Sequence, residues 1–429
     1  MSTTGLAPRV TQKSIFLAWL PLAAMWIFMA VEQPGIAAII ARMPEVKKQL
    51  AIFGVVFSFS LIIESPIIQM LSAGAALGTD RSNYKKLLHS MHLMGVVLTL
   101  IHVLVGVTPL FDFLILKVIG MPGDFLADSR TAFLFMSPFT ASVGYRRLWQ
   151  GVLIRQGQSR VIPAVMLTRL LTSACVLLLG MFFRFLPGAA VGSLALTLGV
   201  IVGALGSYAF VRRELPRMRR GEGDFSYVSL FHFYYPLALT SFIDLAARPI
   251  LSVGVARAAR PIESLAIWPV VMGFMFLFNS FAKSYQEIVI TLNDKPGGQR
   301  ELKRFALRMG LTVFISFQLV VFTPLRDLWF RYVSGLDAEL MELLPMSVLF
   351  ASFVPAIFSS ISYNRGVLIT SKRTGLVSLG VFINFVSMVT FMSILLFVPG
   401  ITGATLAAAS FFGAMAVEAV FLAWKRSRG

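Results

Sequence analysis

PLAAMWIFMAVEQPGIAAIIAR at residues 21–42 and PLALTSFIDLAARPILSVGVAR at residues 236–257 read as one helix written twice. Pro21 aligns with Pro236, Pro34 with Pro249 and Arg42 with Arg257, all at an offset of 215. The same offset, without gaps, pairs Leu50-Ala51-Ile52 with Leu265-Ala266-Ile267 and Gly151-Val152-Leu153-Ile154 with Gly366-Val367-Leu368-Ile369. It also sets TPLFDFLILKVIG (108–120) against TPLRDLWFRYVSG (323–335), identical at six of thirteen positions. Gly188 and Ala189 meet Gly403 and Ala404, and Arg213 meets Arg428. So biased a composition matches itself by chance at about one position in ten. A single register with this many matches is therefore a duplication.

The chain that is duplicated is built for lipid. Hydrophobic residues make up 57% of 429 and charged ones 14%, with a mean hydropathy of +0.80. A soluble domain is about a quarter charged. Apolar runs long enough to cross a bilayer as helices need about 20 residues each. Twelve are expected, at 14–41, 50–78, 87–107, 126–148, 161–183, 189–211, 229–256, 262–290, 305–323, 341–369, 374–397 and 401–424. None alternates with period two, which excludes barrel strands. The first run is too long for a signal-peptide core and lacks a small-residue cleavage site, so it stays as a helix. The fold class is all-α integral membrane: a six-helix lobe over 1–211, a linker over 212–228 and a second six-helix lobe over 229–429.

Six spans return a chain to the side where it began, so the two lobes share one orientation and a pseudo-twofold axis along the membrane normal. Charge sets the direction. With the N-terminus in the cytoplasm, 24 of the 38 Lys and Arg fall in inner segments and ten in outer loops, with Arg169, Arg248, Lys283 and Arg365 inside spans. That is the positive-inside pattern, with both termini cytoplasmic in the cell membrane. The net charge of +18 thus orients the chain, and no nucleic-acid partner is expected.

Several chemistries are excluded. Cys175 is the single cysteine, so no internal disulfide and no cysteine metal site exists. The four histidines (His89, His92, His102 and His232) form no HExxH and read as ordinary interhelical hydrogen-bonding groups. No GxxxxGK[ST] loop is present. No cofactor, metal or enzymatic activity is expected. Gly199 and Gly203 form a GxxxG that reads as close packing inside the bundle, so the chain is taken to work as a monomer.

Ionisable residues within spans are costly and face the bundle interior or a wet cavity. The repeat shows which of them are equivalent. Gln33 corresponds to Arg248, each before a proline; Glu64 corresponds to Asn279, Arg169 to Asn384 and Gln150 to Arg365. Glu32 and Asp244 lie three positions apart in equivalent helices. Asp244 and Arg248 are spaced to pair along one helix, and Asn279, Lys283 and Glu287 make a stripe at spacing four. The expected substrate site is Glu32, Gln33, Glu64, Asp244, Arg248, Asn279 and Lys283, on helices one, two, seven and eight. Arg169, Asn364 and Arg365 are secondary, since packing or snorkelling also accounts for them.

Further pieces carry a family resemblance: Glu32-Gln33 then Gly35-Ile36-Ala37-Ala38, Arg130 with Ala132-Phe133-Leu134, and Gly151 to Leu153. Tyr235-Pro236-Leu237-Ala238-Leu239, Arg248-Pro249-Ile250, Glu263 with Ala266-Ile267, and Gly403-Ala404-Thr405-Leu406 then Glu418 follow in order. Together they resemble the progressive ankylosis protein family, within the superfamily of multidrug extruders and lipid-linked oligosaccharide flippases. The resemblance implies a fold of two six-helix lobes around a central cavity, and export of anions such as citrate or ATP. The long acidic C-terminal tail of that family is missing, and Glu64-Ser65-Pro66 departs from its pattern. The expected function is a secondary transporter exporting a small anionic solute by alternating access. A lipid-linked precursor flippase or a cationic multidrug extruder of the same fold is the alternative.

Overall fold

The computed structural model describes residues 10–428 except 157, 222–225, 294 and 372, and side chains other than those at 21, 22, 24, 25, 28, 29, 76, 159, 236, 237, 240, 244, 248, 287, 291 and 374. The first repeat holds α1 (Gln12–Ile40), α2 (Val46–Glu64), α3 (Met70–Leu77), α4 (Arg81–Val107), α5 (Leu126–Phe135), α6 (Ser137–Arg155), α7 (Ile162–Phe183) and α8 (Gly188–Glu214). The second holds α9 (Tyr227–Arg257), α10 (Pro261–Lys283), α11 (Tyr285–Leu292), α12 (Gly298–Val321), α13 (Leu344–Thr370), α14 (Thr374–Leu395) and α15 (Gly403–Ser427).

The offset of 215 recurs in the backbone. α1, α2, α3 and α8 begin 215 residues before α9, α10, α11 and α15, and α6 ends 215 before α13. Glu45 and Arg260, register partners ahead of α2 and α10, are both left-handed, with φ of 56° and 52°. Phe113–Ile119 and Leu328–Val333 are both wide π turns. They lead into Gly120 and Gly335, whose φ of +86° and +72° only glycine adopts freely. Met121 N–H donates to the Ile115 carbonyl and Leu336 N–H to that of Phe330, each at 3.0 Å and one register apart.

Among the described residues nine helices are long and apolar enough to cross a membrane. This is a multi-pass, all-helical membrane protein. The three other expected spans differ for identifiable reasons. α1 and α9 are 29 and 31 residues long but include side chains outside the described set. The fourth expected span, 126–148, is broken at Met136, where α5 ends and Pro138 at the start of α6 removes a donor. α6 then runs on to Arg155, well past the expected end at 148.

The chain divides into two compact units, Gly35–Pro269 and Met1–Pro34 with Val270–Gly429. These differ from the lobes divided at 211 and 229, which follow the duplication. In Gly35–Pro269, Ile67, Met70, Leu87, Met91, Leu148 and Val152 form a buried core that takes in Leu230 and Tyr234 from α9. In the other unit Ala282, Tyr285, Leu302, Ala306, Tyr363 and Val367 form a core that takes in Ile15 and Trp19 from α1. Each of these eight residues of one core stands 215 residues from one of the eight named in the other. Each core is thus completed by the first helix of the opposite repeat.

Tightly placed glycines set the helix crossings. A Cβ at Gly151 would overlap the Leu71 carbonyl, and one at Gly366 would meet Val289 and lie 3.2 Å from the carbonyl of Gln286, the register partner of Leu71. Between helices in lipid, where apolar burial gives little drive, such close backbone approach supplies the packing energy. Caps fix the ends: the Asp80 side chain accepts from Asn83 N–H at 2.9 Å to start α4, and Ser226 accepts from Ser229 N–H at 3.1 Å to start α9. The Arg81 guanidinium donates to the Leu215 carbonyl at 2.7 Å, tying the chain after α8 to the start of α4.

Candidate functional site

Four of the seven expected primary site residues fall in the unit of Met1–Pro34 and Val270–Gly429, on α1 and α10. These two helices touch at three levels. Trp19 Nε1–H donates to the Phe281 carbonyl at 3.0 Å, Lys283 Nζ sits 5.3 Å from the Trp26 ring, and Pro34 packs against Gly273, where a side chain would come within 3.3 Å. Glu32 on α1 is 8% exposed, and Gln33 beside it is half-buried. Asn279 on α10 is 6% exposed, and its Oδ1 has no hydrogen-bond partner among the described residues. Half-buried Lys283 closes α10 with its ammonium also 4.9 Å from the Phe276 ring, a setting in which ring faces stabilise a cation.

The expected stripe of Asn279, Lys283 and Glu287 passes Ser284, where α10 gives way to α11 while the backbone stays right-handed (φ −66°, ψ −21°) within one apolar stretch, Pro261–Ile290. The interruption at Ser284 is the register partner of the one at Gln69, where α2 gives way through a 3₁₀ turn at Ser65–Ile67 that contains Pro66. The Glu287 side chain lies outside the described residues, as do those of Asp244 and Arg248 on α9.

Two secondary candidates in this unit are Asn364 and Arg365 on α13. Asn364 is buried and donates to Ser360 Oγ at 3.4 Å. Arg365 Nε donates to Glu418 Oε1 of α15 at 2.8 Å, with a second bond from its terminal nitrogen. The Glu418 carboxylate is 1% exposed and the Arg365 side chain 17%, so the pair is a desolvated one within the bundle.

The other unit treats the same crossing differently. The register partners of Arg365 and Glu418 are Gln150 and Gly203. With no side chain at 203, the space is flanked by Arg146 and Arg169, whose Cδ atoms lie 3.2 and 3.7 Å from where a Gly203 Cβ would stand. Gly199, one turn earlier, packs against Ser173 and the Arg169 carbonyl, so the GxxxG pair seats α8 on α7 inside the bundle. Arg146 and Arg169 are 4% and 5% exposed. Arg146 donates to Gln150 Oε1 at 3.4 Å. Glu64, at the end of α2 and 4% exposed, lies within electrostatic reach of Arg147, as does Arg169. The Arg147 Nε is buried and donates to no atom among the described residues. Helices α2, α6, α7 and α8 thus gather three arginines, one glutamate and one glutamine.

The expected fourth span, 126–148, takes in Arg146 and Arg147 only at its inner end, and both count with the inner segment toward orientation. They belong to the interior of α6, nine and eight residues before its end. The repeat carried the signal that would have found them. Arg365 was placed within a span, so its partner Gln150 belonged in one too. The remaining inner bias still favours the same side after both are removed. Three histidines have ordinary bonds: His102 Nε2 to the Phe133 carbonyl at 2.9 Å, His92 Nδ1 to Tyr145 Oη at 2.6 Å, and His232 Nδ1 to the Val228 carbonyl at 2.9 Å.

Residues 11–272 match the progressive ankylosis protein family, which covers α1 through the first half of α10 and most of the polar positions above. The chain belongs to that family. The match takes in Glu32-Gln33, Arg130 and Arg248-Pro249, the pieces whose resemblance pointed to it. This progressive ankylosis family member shares its fold with solved transporters at low identity. It is similar to an inward-facing multidrug-resistance MATE transporter of the MOP superfamily, with a TM-score of 0.72 at 12% identity over 96% of this chain and 97% of that one. The lipid II flippase MurJ, in an inward closed conformation, gives 0.73 at 12% identity over 95% and 87%. A MOP superfamily transporter from Pyrococcus furiosus, whose binding pocket of reverse polarity suggests a different function for it, gives 0.62 at 13% identity over 98% of both chains. The progressive ankylosis member therefore has the MATE-like fold of MOP transporters.

Proposed function

We propose that this protein is a secondary transporter that exports a small organic anion, citrate- or nucleotide-like, by alternating access of two parallel six-helix repeats. Its termini are cytoplasmic in the cell membrane and the monomer is the working unit. The observation that carries the reading is the cluster of Arg146, Arg147 and Arg169 with Glu64 and Gln150. Guanidinium groups are permanently charged and expensive at membrane depth unless an anion offsets them. Among the described residues three arginines gather with one carboxylate, and a di- or tricarboxylate or a phosphate matches such a site with bidentate geometry. The ring-flanked Lys283 adds a further cation in the other unit.

Glu32, Gln33, Asp244, Arg248 and Asn279 complete the substrate path in this reading. Asp244 neutralises Arg248 in the empty carrier, and a substrate carboxylate or phosphate replaces it during transport. The balance of arginine over carboxylate weighs against a cationic-drug extruder, which would need the reverse. Uptake into proteoliposomes of labelled citrate, nucleotides, a lipid-linked sugar and a cationic dye tests the assignment. The soluble anions are expected to move; transport of the dye or of the lipid-linked sugar alone would reject it.

A further inference from the structure

We propose that a groove on α12, α13 and α15, in the unit of Met1–Pro34 and Val270–Gly429, binds an anionic phospholipid of the surrounding bilayer. The groove encloses about 420 Å³. Its floor is shallow in side chains because Gly310 and Ala356 meet there, with a Cβ at 310 only 3.3 Å from the Ala356 carbonyl. Leu307 and Leu311, 64% and 60% exposed, form one wall. Phe314 and Phe353, with ring centroids 5.1 Å apart, close the far end. From Lys303 to Phe314 the helix rises about 16 Å, room for a long stretch of one acyl chain beneath a headgroup.

The near end is cationic. Lys303 lies in the first turns of α12 and Arg426 in the last turn of α15, and both line the groove. Arg426 is held with its guanidinium 4.9 Å from the Tyr363 ring. Glu301, the carboxylate closest in sequence to Lys303, is engaged by Arg304 at 2.9 Å and by Gln12. Neither Lys303 nor Arg426 has a carboxylate partner among the described residues. Two cations at the mouth of an apolar groove match an anionic headgroup above a hydrocarbon tail, and basic pockets between helices at a membrane face bind such lipids. A soluble anion would have no use for the leucine and phenylalanine walls, and a zwitterionic lipid would bring its own cation to the basic end.

Native mass spectrometry of the full chain in detergent, titrated with phosphatidylglycerol or phosphatidylcholine, tests this. Wild type is expected to retain phosphatidylglycerol about tenfold better than phosphatidylcholine, and Lys303→Gln with Arg426→Gln to remove that preference. Leu307→Trp, which fills the groove and leaves both cations, is expected to lower retention of both lipids. Phosphatidylglycerol should also raise the melting temperature of wild type and leave that of the double variant unmoved. If the double variant fails to fold, Lys303→Gln alone, at an exposed position, must still lower the preference. Equal retention of the two lipids, an unchanged preference in a folded Lys303→Gln protein, or displacement of the lipid by soluble glycerol phosphate would overturn the proposal.

Discussion

Trp19 and Tyr234 occupy one position of the repeat and make the same hydrogen bond in different units. Trp19 Nε1–H donates to the Phe281 carbonyl at 3.0 Å and Tyr234 Oη–H to the Pro66 carbonyl at 2.5 Å; 281 and 66 are also register partners. The Pro66 carbonyl lies in the 3₁₀ turn that follows α2 and the Phe281 carbonyl in the last turn of α10, both places where backbone acceptors lose helical partners. A side chain from the first helix of the other repeat satisfies each one.

Trp19→Phe and Tyr234→Phe are therefore expected to destabilise the protein by about 1 kcal/mol each, the usual value of one such bond. The sites share no partners, so the double variant should show the sum. Thermal unfolding in detergent measures this. No loss in either single variant would show that the exchanged helices do not depend on these bonds.

Gly54 of α2 and Pro269 of α10 are register partners in contact, and a Cβ at 54 would overlap Pro269 Cγ. Gly54→Ala should cost about 1–3 kcal/mol by overpacking. Pro269→Ala should relieve most of that loss in the double variant. Equal stability of Gly54→Ala and wild type would remove this contact from the account of the fold.

The Arg365–Glu418 pair is expected to hold structure rather than substrate. Glu418→Gln strands a buried guanidinium and should cost about 3–5 kcal/mol, while Glu418→Gln with Arg365→Gln should recover a large part of it. Unfolding of both variants checks the sign. Full stability of the single variant would place Arg365 back among the substrate-binding candidates.

The fold was largely legible because a duplication writes each constraint twice. Any helix, turn glycine or crossing glycine found in one repeat was tested by its partner 215 residues away, as Gly120 was by Gly335. The site was legible only in part. Hydropathy ended the fourth span at 148 because Arg146, Arg147 and Gln150 depress the average there, and charge inside a helix resembles charge beyond its end. The exchange of α1 and α9 between units left no mark in the sequence, because equivalent cores accept equivalent helices and register alone does not say which one fills which.

Asp244 and Arg248 carry the mechanistic part of the proposal. Asp244→Asn is expected to raise apparent affinity for the anion and to slow turnover, since substrate no longer competes with an internal carboxylate. Arg248→Lys should also be impaired, because an ammonium lacks the bidentate fork. Initial rates against substrate concentration separate the two effects. Unchanged affinity and rate in Asp244→Asn would exclude the exchange.

The most direct test is anion flux in proteoliposomes at matched protein content, comparing wild type with Arg248→Gln, Arg169→Gln and Arg147→Gln. Wild type is expected to carry labelled citrate or nucleotide, and each folded arginine variant to lose at least about tenfold in rate, the scale of one charge-assisted contact. Wild-type flux in all three well-folded variants, or a wild-type protein that moves cationic dye and no anion, would contradict the account.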